Sequence, residues 1–193
     1  KTNSTILVHI STDFVFDGSK TTPYKEEDVP NPINVYGASK LKGEQWVQSI
    51  LEQYFIIRTS WVYSEYGHNF VKTMLRLGTE RNELGVVNDQ WGSPTYAGDL
   101  AEAIMKIINL NATNYGLYHF SNEGSITWYD FAKAIFKNRA MNLNVNPISS
   151  EAYPTPAIRP RFSVLDKNKS TKLLGLIPNN WTNSLYENLK KTK

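Results

Sequence analysis

Residues 6–40 read ILVHISTDFVFDGSKTTPYKEEDVPNPINVYGASK. Ile6 to Ile10 is a short, nearly unbroken apolar run, the pattern of a strand buried on both faces of a parallel sheet. Ser11 to Pro32 reads as a loop, punctuated by Gly18, Pro23, Pro30 and Pro32. Asn34 is placed to cap a helix over Val35 to Leu51. Strand, loop and helix in that order make the first part of a βαβ unit. Inside the helix, Tyr36 and Lys40 stand four residues apart and share a face. A free phenol titrates at about pH 10, too high to trade protons readily at neutrality, and a neighbouring ammonium pulls that value down. Such a tyrosine becomes a usable acid or base for carbonyl chemistry. Thr12, in the Ser11-Thr12-Asp13 run that closes the strand, adds a hydroxyl able to orient a carbonyl.

Outward from this stretch the alternation continues. Phe55–Thr59 reads as the next buried strand, and a helix from Asn69 is expected to stop at Gly78. Val86–Val87 is a short strand. Asp99–Leu110 carries apolar residues at helical spacing, and Gly116–Phe120 returns to a strand. Thr127–Phe136 is a helix opened by a capping-box pair, Thr127 and Asp130. Asn144–Ile148 is a further strand, Pro154–Pro160 a proline-rich loop, and Lys167–Leu174 and Trp181–Leu189 are short helices. The class is α/β with a parallel sheet.

Composition excludes several functions. A hydrophobic fraction of 40% and five tryptophans argue for a packed core. Net charge is +3 with scattered cations, which gives nucleic-acid binding little support. Lys190, Lys191 and Lys193 read as a frayed, solvated end. There is no cysteine, so disulfides and thiol catalysis are excluded and a reducing cytoplasm is expected. Three scattered histidines give no zinc pattern, and no apolar run approaches the ~20 residues of a membrane span. No leader is read at Lys1–Thr5. A glycine-rich phosphate turn is also absent, the eleven glycines being dispersed. The expectation is a C-terminal part of a longer protein, lacking about 90 residues at ~30 per βα unit.

Several segments carry a resemblance. They are Ile10-Ser11-Thr12-Asp13-Phe14-Val15-Phe16-Asp17-Gly18, Pro32 through Glu44, Arg58-Thr59-Ser60-Trp61-Val62-Tyr63, Asn69 through Leu75, Asn88 through Thr95, Gly116 through Phe120, Thr127 through Asp130, and Pro156-Ala157-Ile158-Arg159-Pro160. In this order they resemble the dTDP-4-dehydrorhamnose reductase family of the extended short-chain dehydrogenase/reductases. The resemblance implies the C-terminal part of a Rossmann-like doubly wound parallel sheet plus a smaller α/β substrate-binding region. Residues of about 1–60 and 84–110 would belong to the nucleotide-binding fold, and about 61–83 and 111–193 to the substrate-binding part. It implies NADPH or NADH as cofactor and reduction of the 4-keto group of a dTDP-linked 4-keto-6-deoxy sugar. Tyr36 would be the proton donor, Lys40 would bind the nicotinamide ribose and tune Tyr36, and Thr12 would bond the substrate carbonyl. Ser60 joins Tyr36 and Lys40 on the cofactor side. Trp61, Asn69 and Arg159 would contact substrate, the last through its planar donor fork. A missing N-terminal segment and a homodimer partner complete the implied assembly.

Phe14 departs from the tyrosine common at that position in the family. Two other functions stay open: a non-catalytic regulatory subunit of the same fold, and a related epimerase or dehydratase. Plainer readings also stand beside the sharp ones. Thr12 and Asp13 suit an ordinary turn, Trp61 a core aromatic, Asn69 a helix cap and Arg159 a surface arginine. His9, His68 and His119 read as satisfied interior or edge histidines, Glu26, Glu27 and Asp28 as a solvated loop edge, and Trp128 and Phe131 as core.

Overall fold

The computed structural model describes residues 5–192. Among them the strands are β1 Leu7–Thr12, β2 Tyr54–Thr59, β3 Val62–Tyr63, β4 Glu83–Val87, β5 Trp91–Gly92, β6 Thr95–Tyr96, β7 Gly116–His119, β8 Ile126–Thr127 and β9 Asn144–Ile148. The helices are α1 Val35–Ile50, α2 Phe70–Glu80, α3 Ala97–Asn109, α4 Trp128–Asn138, α5 Asn168–Leu174 and α6 Trp181–Lys191, with 3-10 turns at Asp13–Val15 and Ser150–Ala152.

β1, β2 and β7 form a parallel sheet in that order, and the register sets Ser11 beside Arg58 and Arg58 beside His119. β2 is the central strand and is buried from Phe55 to Thr59, as its apolar run predicts. Phe55, Ile57 and Tyr118 pack with Leu100, Ala103 and Ile107 of α3. A second core joins α2, α4 and α6 to β4 through Val71, Met74, Val86, Phe131, Ile135 and Leu185. β4 pairs with β9 and β3 with β6, both in parallel, while β5 and β8 are antiparallel. Thus β7, from the stretch after residue 110, is a strand of the first sheet, and β4, from the 84–110 stretch, pairs away from it.

Most elements lie where their patterns place them. Asn34 caps α1 by accepting from the Gly37 N–H at 2.8 Å, and the Thr127–Asp130 capping box is formed reciprocally. Five readings need correction, the first being His68, which is exposed rather than interior. β1 continues to Thr12, because Ser11 and Thr12 keep pairing with Arg58 and Thr59. Gly78 does not end α2: the helix runs on to Glu80, and the glycine permits close approach of α4, since a Cβ there would lie 2.8 Å from Phe136. Glu26 is no solvated edge residue but a buried carboxylate accepting from the His119 N–H at 2.9 Å. The lysine-rich end is solvated but not frayed: Lys190 and Lys191 are exposed on ordered helix, and the Lys191 ammonium donates to the Tyr96 hydroxyl at 3.2 Å. Lys193 and the leader reading at residues 1–4 lie outside the described residues.

Candidate active site

α1 has only two fully buried residues, Gly37 and Glu44, and its apolar contact is narrow, the half-buried Leu41 packing on Val15, Phe16, Tyr24 and Leu165. Gly37 is where the helix meets the turn after β1: an added Cβ would lie 2.0 Å from the Phe14 carbonyl oxygen. That closeness sets the neighbouring Tyr36 ring edge-on against Phe14, with centroids 5.9 Å apart at 79°. One turn further along, the Lys40 ammonium donates to the Ile10 carbonyl at 2.5 Å. The Thr12 hydroxyl is buried beside the same turn, accepting from the Phe14 N–H at 3.2 Å and donating to Asp13 Oδ1 at 3.0 Å. Thr12, Tyr36 and Lys40 therefore gather at the C-terminal end of β1. Tyr36 is 54% exposed and reachable by a ligand.

Asp13 lies under Thr12. Its carboxyl is buried, Oδ2 has no hydrogen-bond partner, and burial raises its pKa to about 6 against the opposing bonds from Ser163 and Thr12. Behind α1 runs a buried polar row across the sheet. Arg58 donates to Glu44 through Nε at 2.9 Å and Nη2 at 2.7 Å, and the Ser11 hydroxyl donates to the same carboxylate. The guanidinium also sits 5.0 Å from the centre of the Phe16 ring. His119 closes the row. Burial, then the Arg58 charge, lower its pKa to about 3, so it is neutral. His9 is likewise lowered, by burial and then by Lys40, with Glu44 opposing.

Away from α1, a cleft of about 470 Å³ lies between α2, β4 and the Tyr153–Arg159 segment. Phe70, Trp128, Tyr153, Arg76, Arg81 and Arg159 are among its walls. The Asn34 side chain donates to the Ile158 carbonyl at 2.9 Å, so the residue before Arg159 is tied to the cap of the helix that carries Tyr36.

The other candidate residues are placed differently. Ser60 is buried and its hydroxyl donates to the Ser93 carbonyl at 2.7 Å, so that hydroxyl serves the fold. Asn69 caps α2, accepting from the Lys72 N–H at 3.2 Å and donating to the Ser64 carbonyl at 2.7 Å, which occupies both ends of its amide. The Trp61 indole stacks on Trp128 at 3.5 Å and 9° and sits against Gly92, where a Cβ would lie 2.5 Å from the ring. One face is covered by Trp128 and the Nε1 side is crowded by Gly92, while the residue as a whole stays half-buried. Trp61 also has φ 47°, a strained backbone for a bulky residue. Trp128 is not purely core, since it lines the cleft. Glu44, Arg58 and His119 were not singled out as a group by the sequence. An arginine inside the otherwise apolar run Phe55–Thr59 was the available signal, because a buried guanidinium requires a partner.

Residues 1–193 match the family model described as RmlD substrate binding domain. The chain is 47% identical to a dTDP-4-dehydrorhamnose reductase of Aggregatibacter actinomycetemcomitans, over 95% of this chain and 65% of that protein. It is 43% identical to the spore coat polysaccharide biosynthesis protein SpsK of Bacillus subtilis, over 95% of this chain and 64% of that protein. A crystal structure of dTDP-4-dehydrorhamnose reductase from Bacillus anthracis in complex with NADP superposes with TM-score 0.90 at 48% identity, covering 96% of this chain and 65% of that one. The chain thus spans just under two thirds of the length of these relatives. A UDP-glucuronic acid 4-epimerase of Bacillus cereus, at TM-score 0.76 and 18% identity, shares the fold.

Proposed function

The chain belongs to the RmlD substrate binding domain family, and from that premise we propose that the complete protein reduces the 4-keto group of a dTDP-linked 4-keto-6-deoxy sugar with NADPH or NADH. The observation that carries this reading is the gathering of Thr12, Tyr36 and Lys40 at the end of β1, with the Arg159 segment tied to the same helix by Asn34 and Ile158. The residues present fit the ribose and nicotinamide end of such a cofactor: a phenol and an ammonium one helical turn apart beside an open strand end. They do not supply its phosphate end, which the glycine-rich turn of another segment would hold. Relatives longer than this chain support such a segment, as does β1, which among the described residues pairs with β2 alone.

When bound beside Tyr36 and Lys40, the reduced nicotinamide would be the source of the hydride for the carbonyl carbon. Tyr36 gives its proton to the carbonyl oxygen as the C=O π bond breaks, and the resulting phenolate takes a proton back from solvent. Lys40 stabilises that phenolate. Thr12 turns its hydroxyl from Asp13 to the substrate oxygen, exchanging one acceptor for another. Arg159 receives the diphosphate in the cleft, with Trp61 toward the sugar. Asn69 contributes through the helix start it fixes, and Ser60 through its main chain at the end of β2. The first sheet, with residues of about 1–60 and β7, serves the cofactor side; α2, α4 and the paired strands β4 and β9 serve the substrate side. The compartment we infer is the cytoplasm, matching a cysteine-free chain. A homodimer has the exposed Trp46 and Ile50 of α1 available to it.

The test follows reduced-nicotinamide absorbance with a dTDP-4-keto-6-deoxy sugar and the complete protein. Tyr36→Phe is expected to lower kcat about a thousandfold with the fold intact. Unchanged turnover in that variant would reject Tyr36 as the acid, and no turnover in the parent would favour a regulatory subunit.

A further inference from the structure

We propose that Glu44 and Arg58 are positioning residues for the Tyr36–Lys40 pair, their ion pair fixing the rotation of α1 on β1 so that Lys40 stays at the Ile10 carbonyl. The reading rests on the proposed reductase site, which it deepens.

α1 is a sixteen-residue helix whose one fully buried side chain is Glu44. Gly37 provides a steric stop on Phe14, which limits how near the helix comes, and the half-buried Leu41 adds an apolar contact that sets no direction. Glu44 provides the directional contact. Its carboxylate takes two bonds from the Arg58 fork on β2 and one from Ser11 on β1, so three elements are locked at one point. Ser11 and Ile10 are consecutive on β1, and Glu44 and Lys40 are one turn apart on α1. The helix is therefore registered to the strand by two adjacent polar contacts. Glu44 is 1% and Arg58 2% exposed. A dry ion pair of this kind gives little net stability, because desolvation offsets the attraction, and an apolar pair of like volume is often as stable. Its retention under the helix that carries Tyr36 is explained by orientation, for which a fork and a carboxylate are better suited than methyl groups.

The test is the double variant Glu44→Leu with Arg58→Met in the intact protein, with Glu44→Gln beside it. The carbonyl 13C resonance of Ile10, referenced to a Lys40→Met variant, reports whether the ammonium is still in place, with no need for activity. The expected result is a folded double variant whose Ile10 signal moves to the Lys40→Met position. Its kcat falls about a hundredfold, as a misplacement near 1 Å would cause, with KM for the sugar nucleotide little changed. An Ile10 signal like the parent's in a folded variant overturns the proposal, as does failure of both variants to fold, which would assign the pair to stability. If the parent itself shows no turnover, the reductase reading fails while the Ile10 signal still decides the placement of Lys40.

Discussion

Beside their apolar contact with α3, β1, β2 and β7 carry charged and hydroxylic side chains that meet: Ser11 and Arg58 on Glu44, Thr12 on Asp13, and Glu26 on the backbone of His119. Around α2 and α4 they are aromatic. Trp61 stacks on Trp128, Phe70 stacks on Phe131 at 5.5 Å, and Tyr63 and Trp181 meet Phe131 edge-on. Polar contacts fix direction and respond to protons, whereas stacked rings fix spacing and do not. The first region is suited to aligning a proton donor and the second to shaping the wall of a cleft. If that division is real, defects in the two regions should differ in their pH dependence as well as in size.

The largest expected effect belongs to His119. Its folded pKa of about 3 lies below the ordinary 6.5, so between those values the unfolded chain binds a proton that the folded chain does not. Stability is fully present above pH 6.5 and is lost as pH falls toward 3, by about 5 kcal/mol in all. His119→Gln should abolish that portion of the acid slope when denaturant unfolding is repeated across the range. Equal slopes in parent and variant would mean the imidazole is not buried neutral.

Phe131→Ala is the matching defect in the aromatic region. Phe131 is fully buried between Tyr63, Phe70 and Trp181. Its truncation should cost about 4 kcal/mol through lost burial and an unfilled cavity. The cost should be the same at pH 5 and pH 8, for the one titratable group in that stack, Tyr63, is pushed by burial above the ordinary tyrosine range. A pH-dependent loss would break the comparison.

Asp13 gives the next largest effect, with the opposite sign to His119. Its folded pKa of about 6 lies above the ordinary 3.8, so the folded chain holds a proton longer and loses stability as pH rises between those values. Asp13→Asn should therefore gain on the parent through that window by up to about 3 kcal/mol. A flat difference would place a second partner on Oδ2.

How much of this was legible beforehand depends on the kind of contact. Elements specified by local chemistry were readable: Asn34 and Asn69 as caps, the Thr127–Asp130 box, and the apolar run of β2. Tyr36 and Lys40 were visible because their spacing is local to one helix. The polar row was not, since it joins Ser11, Glu44, Arg58 and His119 from four elements, and no local pattern pairs residues that far apart in sequence. Glu26 was misjudged for the same reason: its partner is 93 residues away. Gly78 read as a helix stop because glycine has two uses, and only the tertiary neighbours Phe136 and Met141 show which applies. Trp61 and Asn69 were assigned by likeness to ligand roles that the packing of their own side chains largely takes up.

The smallest effect tests the division between the two regions most directly, because it separates binding from chemistry. Arg159 is exposed on a wall of the cleft that also carries Arg76 and Arg81, and its neighbour Ile158 is bonded to Asn34. Arg159→Lys keeps the charge and removes the planar fork, so a bidentate hold on a diphosphate is lost while the long-range attraction stays. KM for the sugar nucleotide should rise about tenfold with kcat unchanged, the signature of an interaction made equally in ground and transition states. Stability should move by less than about 0.5 kcal/mol, as for surface substitutions generally. An unchanged KM would remove Arg159 from the substrate contacts. A fall in kcat at constant KM would mean that the Asn34–Ile158 tie carries strain from the cleft into α1, and the aromatic wall would then share in aligning Tyr36.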